Sequence, residues 1–372
     1  VEHKEILNLR GALLGEELEF VQDIHIEIED GIITHIGKGF VNNAKEYRTH
    51  IALPPLVNAH THTSDYALIE YGVNYTIKEL VGDPYSKKYE LLSKLSEEEI
   101  KNYITEFLNK SLEIGVFGII DFREQGIIGS KIANSIKNNI NINYKILGRL
   151  EKSEFTEKNL IKFKNFVDGY GLPSISYHNR EELSIIKKIF SDKIRAVHVS
   201  ETVRHWLLND LEELIQYFKP NMIVHGTNLS RKELEILDNN TYLVICPRSN
   251  FWFGVGIPRI VDVINSNLKL LIGTDNAGWN DYNIFKDLEL ALYITRLQDP
   301  LSNYSLELLK AVSVNGYKIF GLQPIQENSS SGLVIVRGDD IFRSNNKYLA
   351  IIKRFRNIER VINLKSWSYP KA

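Results

Sequence analysis

The sequence predicts an α/β fold, a (β/α)8 barrel flanked by β-rich termini, on three observations. Eight short apolar segments recur between residues 56 and 272, helical stretches separate them, and the flanks read as consecutive strands. Eight such units over roughly 270 residues match the cadence of a closed barrel. A doubly wound parallel sheet would use the same alternation and is the competing class.

The elements follow in order. Residues 6–37 read as antiparallel sheet. Ile24, Ile26 and Ile28 alternate with polar residues, Asp30-Gly31 supplies a two-residue turn, and Ile32, Ile33 and Ile36 resume the run. Barrel strands are expected at 56–60, 116–122, 144–150, 172–177, 194–199, 222–225, 242–245 and 268–272. Helices are expected at 96–114, 126–138, 157–167, 180–190, 204–218, 230–238 and 256–265, with a final one at 302–320. Beyond Gly332, the runs 333–336, 348–352 and 360–364 read as strands that complete the N-terminal sheet. Residues 66–95 exceed a usual βα loop. They are expected to cover the barrel mouth; a helical insertion on the outer ring is the other reading.

Bulk properties narrow the function. The 372 residues are 43% hydrophobic and 25% charged, enough for a large buried core. Forty-five basic residues against 47 acidic ones leave a net charge of −2, which offers nothing to nucleic acid or an anionic membrane. No stretch has the length and apolarity of a membrane-spanning helix. The opening residues Val1 to Glu5 carry no apolar run of the export type, so a cytoplasmic location is expected. The one cysteine, Cys246, excludes an internal disulfide framework and a thiolate-rich zinc site. A metal here would need nitrogen and oxygen ligands.

Those ligand types stand at strand ends. "LPPLVNAHTHT" ends an apolar run in His60 and His62, which share one side of a strand. "KIRAVHVSE" delivers His198 and then Glu201, "NMIVHGTN" delivers His225, and "LKLLIGTDNAG" delivers Asp275. C-terminal strand ends converge on one face of a barrel, so these residues form one candidate site. Imidazole and carboxylate suit zinc, with iron second. Glu201 could move a proton, or could be a first-turn carboxylate placed for the helix dipole. His225 could be a ligand or could polarise a water, and Asp275 could bind metal and accept a proton.

The ordered segments "LPPLVNAHTHT", "HVSET", "VHGTNLS", "CPRSNFWFGVG" and "LIGTDNAGWND" resemble the amidohydrolase superfamily. Within it they are similar to the cytosine-deaminase-like branch, which holds S-adenosylhomocysteine deaminases and chlorohydrolases. The resemblance implies a distorted (β/α)8 TIM barrel over residues 53–324. It also implies a small β-sandwich from residues 1–52 and 325–372. His60, His62, His198 and Asp275 match the family's metal ligands. Glu201 matches its proton shuttle, and His225 the histidine that orients the water. The fourth strand segment "GLPSISYHN" lacks the lysine of two-metal members, which implies one divalent ion. The implied activity is hydrolytic deamination of a small nitrogen heterocycle, with ammonia released. A chlorohydrolase or cyclic amidohydrolase is the alternative, and a catalytically inactive metal-binding protein the third reading. A small-molecule substrate and a homo-oligomer are expected, without nucleic-acid or membrane partners.

Further polar residues are candidate substrate contacts. Arg123, Arg149 and His178 lie near strand ends, where arginine could hold a carboxylate, phosphate or ring carbonyl. Ion pairing with Asp121, Glu124 or Glu151 is the other reading. Trp252, Asn276 and Trp279 are expected at the rim, or packed within loops.

Overall fold

Two consecutive prolines, Pro54 and Pro55, part the first sheet of the chain from its second, because proline cannot continue a ladder. The computed structural model describes residues 4–82, 85–202 and 209–367. Before the prolines run β1 (Lys4–Leu14), β2 (Glu19–Glu29), β3 (Ile32–Lys38) and β4 (Lys45–Leu53). After them come β5 (Leu56–His62), β6 (Val116–Arg123), β7 (Asn143–Gly148), β8 (Gly169–Leu172) and β9 (Ile194–Val199). The series continues with β10 (Met222–His225), β11 (Tyr242–Ile245), β12 (Lys269–Ile272) and the two-residue β13 (Asp275–Asn276). Finally β14 (Gly332–Arg337) and β15 (Asn357–Asn363) return to the first sheet.

The first sheet is mixed and has the order β15-β14-β4-β1-β2-β3. Its β2–β3 hairpin turns at Asp30 and Gly31 with φ of 47° and 80°, the positive values that a two-residue turn of this hand requires. The second sheet is parallel from β5 through β12, and helices pack around it. Its closure is distorted. β12 stops at Ile272, and only β13, after Gly273-Thr274, pairs with Thr61 and His62 of β5. A Cβ on Gly273 would stand 2.7 Å from both N and O of His60, so glycine alone lets the two strands approach this closely.

The helices Glu97–Glu113, Gly126–Ile136, Glu157–Phe163, Arg180–Ile189, Arg231–Glu235 and Ile260–Asn265 stand between strands where the sequence places them. Of the expected helix 204–218, residues 204–208 lie outside the described residues. The rest forms Asp210–Glu213 and the wider turn Leu214–Phe218. Three expectations need correction. The fourth barrel strand is Gly169–Leu172, not 172–177, because Pro173 ends the ladder and 175–177 form a 3-10 turn. The segment 348–352 belongs to a helix, Lys347–Arg354, whose start is fixed by Asn346 accepting from the Leu349 amide at 2.9 Å. The final helix 302–320 is broken into Ser305–Ala311 and Tyr317–Phe320. A further helix, Ile284–Gln298, follows β13 where the sequence reading named none.

Candidate active site

Six side chains meet over the C-terminal strand ends. His60 Nε2 lies 3.1 Å from Asp275 Oδ1 and 3.2 Å from His198 Nε2. His62 Nε2 is 3.5 Å from Asp275 Oδ1, and His225 Nε2 is 3.6 Å from Glu201 Oε2 and 4.0 Å from Asp275 Oδ2. The backbone bends sharply beneath them. Ser200, His225 and Asp275 hold φ of 48°, 71° and 60°, a left-handed conformation costing non-glycine residues on the order of 1–3 kcal/mol each.

Buried polar contacts fix this arrangement. Asn58 on β5 and Thr274 clasp each other, Asn58 Nδ2 donating to Thr274 Oγ1 at 2.7 Å and the Thr274 amide to Asn58 Oδ1 at 3.0 Å. Asp121 accepts from the Thr63 amide at 2.9 Å and the Thr63 hydroxyl at 2.8 Å, which anchors the turn directly after His62. Ser249 donates to Asp275 Oδ2 at 2.5 Å. His198 Nδ1 donates to the Leu172 carbonyl at 2.9 Å and His62 Nδ1 to Glu124 Oε1 at 2.6 Å. Those bonds leave the Nε2 lone pairs of both rings turned toward Asp275 and His60.

Burial is the largest influence on the titrating groups. It drives His60 down to about 4 despite Asp275 beside it, and drives His198 well below the ordinary histidine value, helped by its histidine neighbours. His225 falls to about 4 for the same first reason. Burial and then the charge of Asp275 push the Glu201 carboxyl up to about 8. Asp275 is pressed upward by burial, but the histidines outweigh it and hold its carboxyl well below the usual range.

The donor set passes a direct test for a metal ion. Neutral His60, fully buried, and His198, partly buried, bring two ring nitrogens to 3.2 Å, with a carboxylate oxygen 3.1 Å from the first, and a cation relieves that convergence of lone pairs. His60, His62 and Asp275 offer ligand atoms within 4.8 Å of one another, as do His60, His198 and His225, and Glu201, His225 and Asp275.

His62, His198, Glu201, His225 and Asp275 line a solvent-connected cavity of about 90 Å³, and His60 is fully buried behind them. Among the expected substrate contacts, Arg149 and Asn276 line it too. Arg149 reaches the Tyr89 hydroxyl at 2.7 Å and stacks 5.1 Å from the Tyr177 ring centre. Arg123 does not line it; its guanidinium is buried against the Gly129 carbonyl and Gln125. His178 does not either, since the correction to β8 puts it beyond the strand end, bonded to Tyr170 at 2.8 Å and Glu182 at 3.0 Å. Trp252 is 45% exposed, and its neighbour Phe253 faces the cavity instead. Trp279 packs edge-on against Phe253 at 5.5 Å and donates to the Tyr71 carbonyl. Ile77, Val81, Lys88 and Tyr89 also line the cavity, so the helices Ile77–Val81 and Lys87–Leu92 of the expected covering segment form part of the wall at its mouth.

Sequence reasoning missed one cluster beside the histidines. Lys88, 2% exposed, is 2.7 Å from Asp65 Oδ2 and 2.5 Å from Glu124 Oε1. Burial works against all three charges. Lys88 and His62 nonetheless hold Glu124 well below the carboxylate range, while Asp65 rises to about 6. No motif signals the cluster, because its members come from three separate segments.

The sequence profile of the Amidohydrolase family matches residues 51–336. The chain belongs to the amidohydrolase family. An uncharacterized protein of Methanocaldococcus jannaschii is 31% identical to this amidohydrolase over 337 residues, 84% of each chain. A 5-methylthioadenosine/S-adenosylhomocysteine deaminase of Pyrococcus furiosus is 25% identical over 362 residues, 87% of this chain and 84% of that one. The crystal structure of an atrazine chlorohydrolase from Arthrobacter aurescens complexed with zinc superposes with a TM-score of 0.82 at 16% identity. It covers 96% of this chain and 94% of its own, a likeness of fold alone. This amidohydrolase is thus a metal-dependent hydrolase with a single divalent-metal site of histidine and acidic side chains. Among the described residues, no helix is long and apolar enough to cross a membrane.

Proposed function

We propose that the protein is a metal-dependent hydrolytic deaminase of a small nitrogen heterocycle, a free base, nucleoside or related compound. His60, His62, His198 and Asp275 would hold one divalent ion, zinc first and iron second. The ion, when bound, supplies Lewis acidity toward water. The protein's own side chains do the rest. Glu201, facing the cavity 3.6 Å from His225, protonates the ring nitrogen beside the attacked carbon and then helps ammonia leave. His225, neutral and buried, donates to the oxygen that forms there. Asp275 accepts the proton that water gives up. Overall, water adds oxygen to an amidine-type carbon, the carbon–nitrogen bond breaks, and a lactam and ammonia result.

The observation that carries this reading is the convergence of His60, His62, His198 and Asp275, with the half-buried carboxyl of Glu201 and a further histidine, His225, facing the cavity beside them. The deaminase of P. furiosus supports the choice of leaving group. The reading takes residues 1–52 with 325–372 as one unit and 53–324 as the catalytic barrel. It has the enzyme act in the cytoplasm, as a homo-oligomer, on a small molecule; the net charge of −2 offers no track for nucleic acid. The test is an ammonia-release screen over purines, pyrimidines, pterins and their nucleosides, with metal counted in the same sample. The wild type is expected to release ammonia with one ion per chain, and H60A/H62A to lose both. Full metal content and activity in that double variant would sink the assignment. Chloride release or ring opening without ammonia would change the leaving group.

A further inference from the structure

The cover of the mouth sends one charged side chain down to the metal-site floor. Lys88 rides on the helix Lys87–Leu92, which is sealed below by Leu92, and its ammonium ends between Asp65 and Glu124 at 2.7 and 2.5 Å. Asp65 lies on the turn after β5, and Glu124 directly after β6. Asn276 of β13 donates to the same Asp65 oxygen at 2.5 Å. Glu124 Oε1 also accepts from His62 Nδ1 at 2.6 Å, so Lys88 stands one carboxylate away from a ring that faces Asp275 on its other side.

Three observations make this more than a buried ion pair. His62, Asp65 and Glu124 offer ligand atoms within 4.8 Å of one another, a grouping with the spacing of a metal site. Among the described residues, the second oxygen of Glu124 is buried without a hydrogen-bond partner, so the ammonium does not saturate the carboxylates it neutralises. Finally, the cation comes from the covering segment and not from the barrel wall.

We propose that Lys88 is a built-in second cation. Its ammonium fills a pocket of two carboxylates beside His62 that would otherwise take a divalent ion. It thereby keeps the centre at one metal and, through Glu124, sets the orientation of His62. Lys88 is a positioning residue here. The inference rests on the reading that His62 belongs to the metal-holding set. Two carboxylates buried together require a counter-cation, and removing the one present leaves uncompensated charge. Oxygen donors in such a pocket suit a small divalent ion.

The test counts ions. Wild type, K88M, K88R and K88M/D65N are equilibrated with zinc, freed of loosely held ion by gel filtration, and assayed by atomic emission, with thermal melts alongside. One zinc per chain is expected in the wild type and K88R, two in K88M, and one again in K88M/D65N. If K88M folds poorly, its cooperative melt should return as the second equivalent is added. A K88M protein that melts cooperatively with one zinc overturns the proposal, as does one that no zinc concentration restores. A wild type that holds no zinc would instead overturn the metal reading on which the proposal rests.

Discussion

Glu201 and Gly273 show how single residues divide chemistry from construction. Glu201 faces the cavity and lies 3.6 Å from His225, with no hydrogen bond to His60, His62 or His198 among the described contacts. In E201Q the metal content should therefore stay at the wild-type level while kcat falls by about 10²- to 10⁴-fold, the usual worth of a positioned proton carrier. Steady-state kinetics and metal analysis on one preparation check both halves, and a loss of metal would recast Glu201 as a ligand. Gly273 works the other way. Its substitution by alanine puts a methyl 2.7 Å from the backbone of His60, which cannot move without shifting a ring that meets Asp275 at 3.1 Å. G273A is expected to lower both the melting temperature and the zinc affinity. Unchanged zinc affinity would show that the seam tolerates separation.

At the scale of elements, the first sheet joins the chain's two ends. Glu5 on β1 accepts from Arg360 on β15 at 2.5 and 2.9 Å and pairs with Lys45 on β4 at 2.6 Å. Burial raises the Glu5 carboxyl, but Arg360 and Lys45 outweigh it and hold it below the usual value. A depressed native value means that the contribution is complete above the ordinary carboxyl range and vanishes as pH falls through the native value. E5Q should thus cost about 1 kcal/mol at pH 7, the Lys45 partner being largely exposed, and the gap to wild type should close below about pH 4. Chemical denaturation of both proteins across that range measures it. Much of this architecture is legible in the sequence. Ile24, Ile26 and Ile28 with Asp30-Gly31 spell out a hairpin, and seven of the eight expected barrel segments announce themselves by apolar runs. β8 is less legible, because Gly169-Tyr170-Gly171 offers little apolar side chain to read. Its glycines are needed for close packing: a Cβ on Gly171 would meet Phe122 at 2.9 Å. The run 348–352 is ambiguous for a different reason, since short apolar stretches fit a strand or a buried helix equally. At the site, the histidines are legible because each terminates an apolar strand. Lys88 is not, sitting in the charged stretch "YSKKYE", where nothing local marks one lysine as buried.

The molecule as a whole is closed by the residues that form its site. The parallel ladder runs unbroken from β5 round to β12, and the last join is made by the two residues of β13 against Thr61 and His62. Few backbone bonds hold this seam, so the Asn58–Thr274 clasp and the His60–Asp275 and His62–Asp275 contacts take a larger share of it. An ion held by His60, His62, His198 and Asp275 would tie β5 and β13 to β9 on the far side of the barrel. Ligand binding to the native state alone stabilises by about 2.7 kcal/mol at a free concentration 100-fold above Kd. Chelation followed by dialysis should therefore lower the melting temperature by several degrees, and added zinc should restore it. The loss should also be local. Amide exchange is expected to rise in β5 and in the 269–276 segment, while β1 to β4, which carry none of the four donors, keep their protection. Equal loss of protection in both sheets would mean that the ion stabilises the chain without stapling the seam. No change at either place would mean that the barrel closes without it.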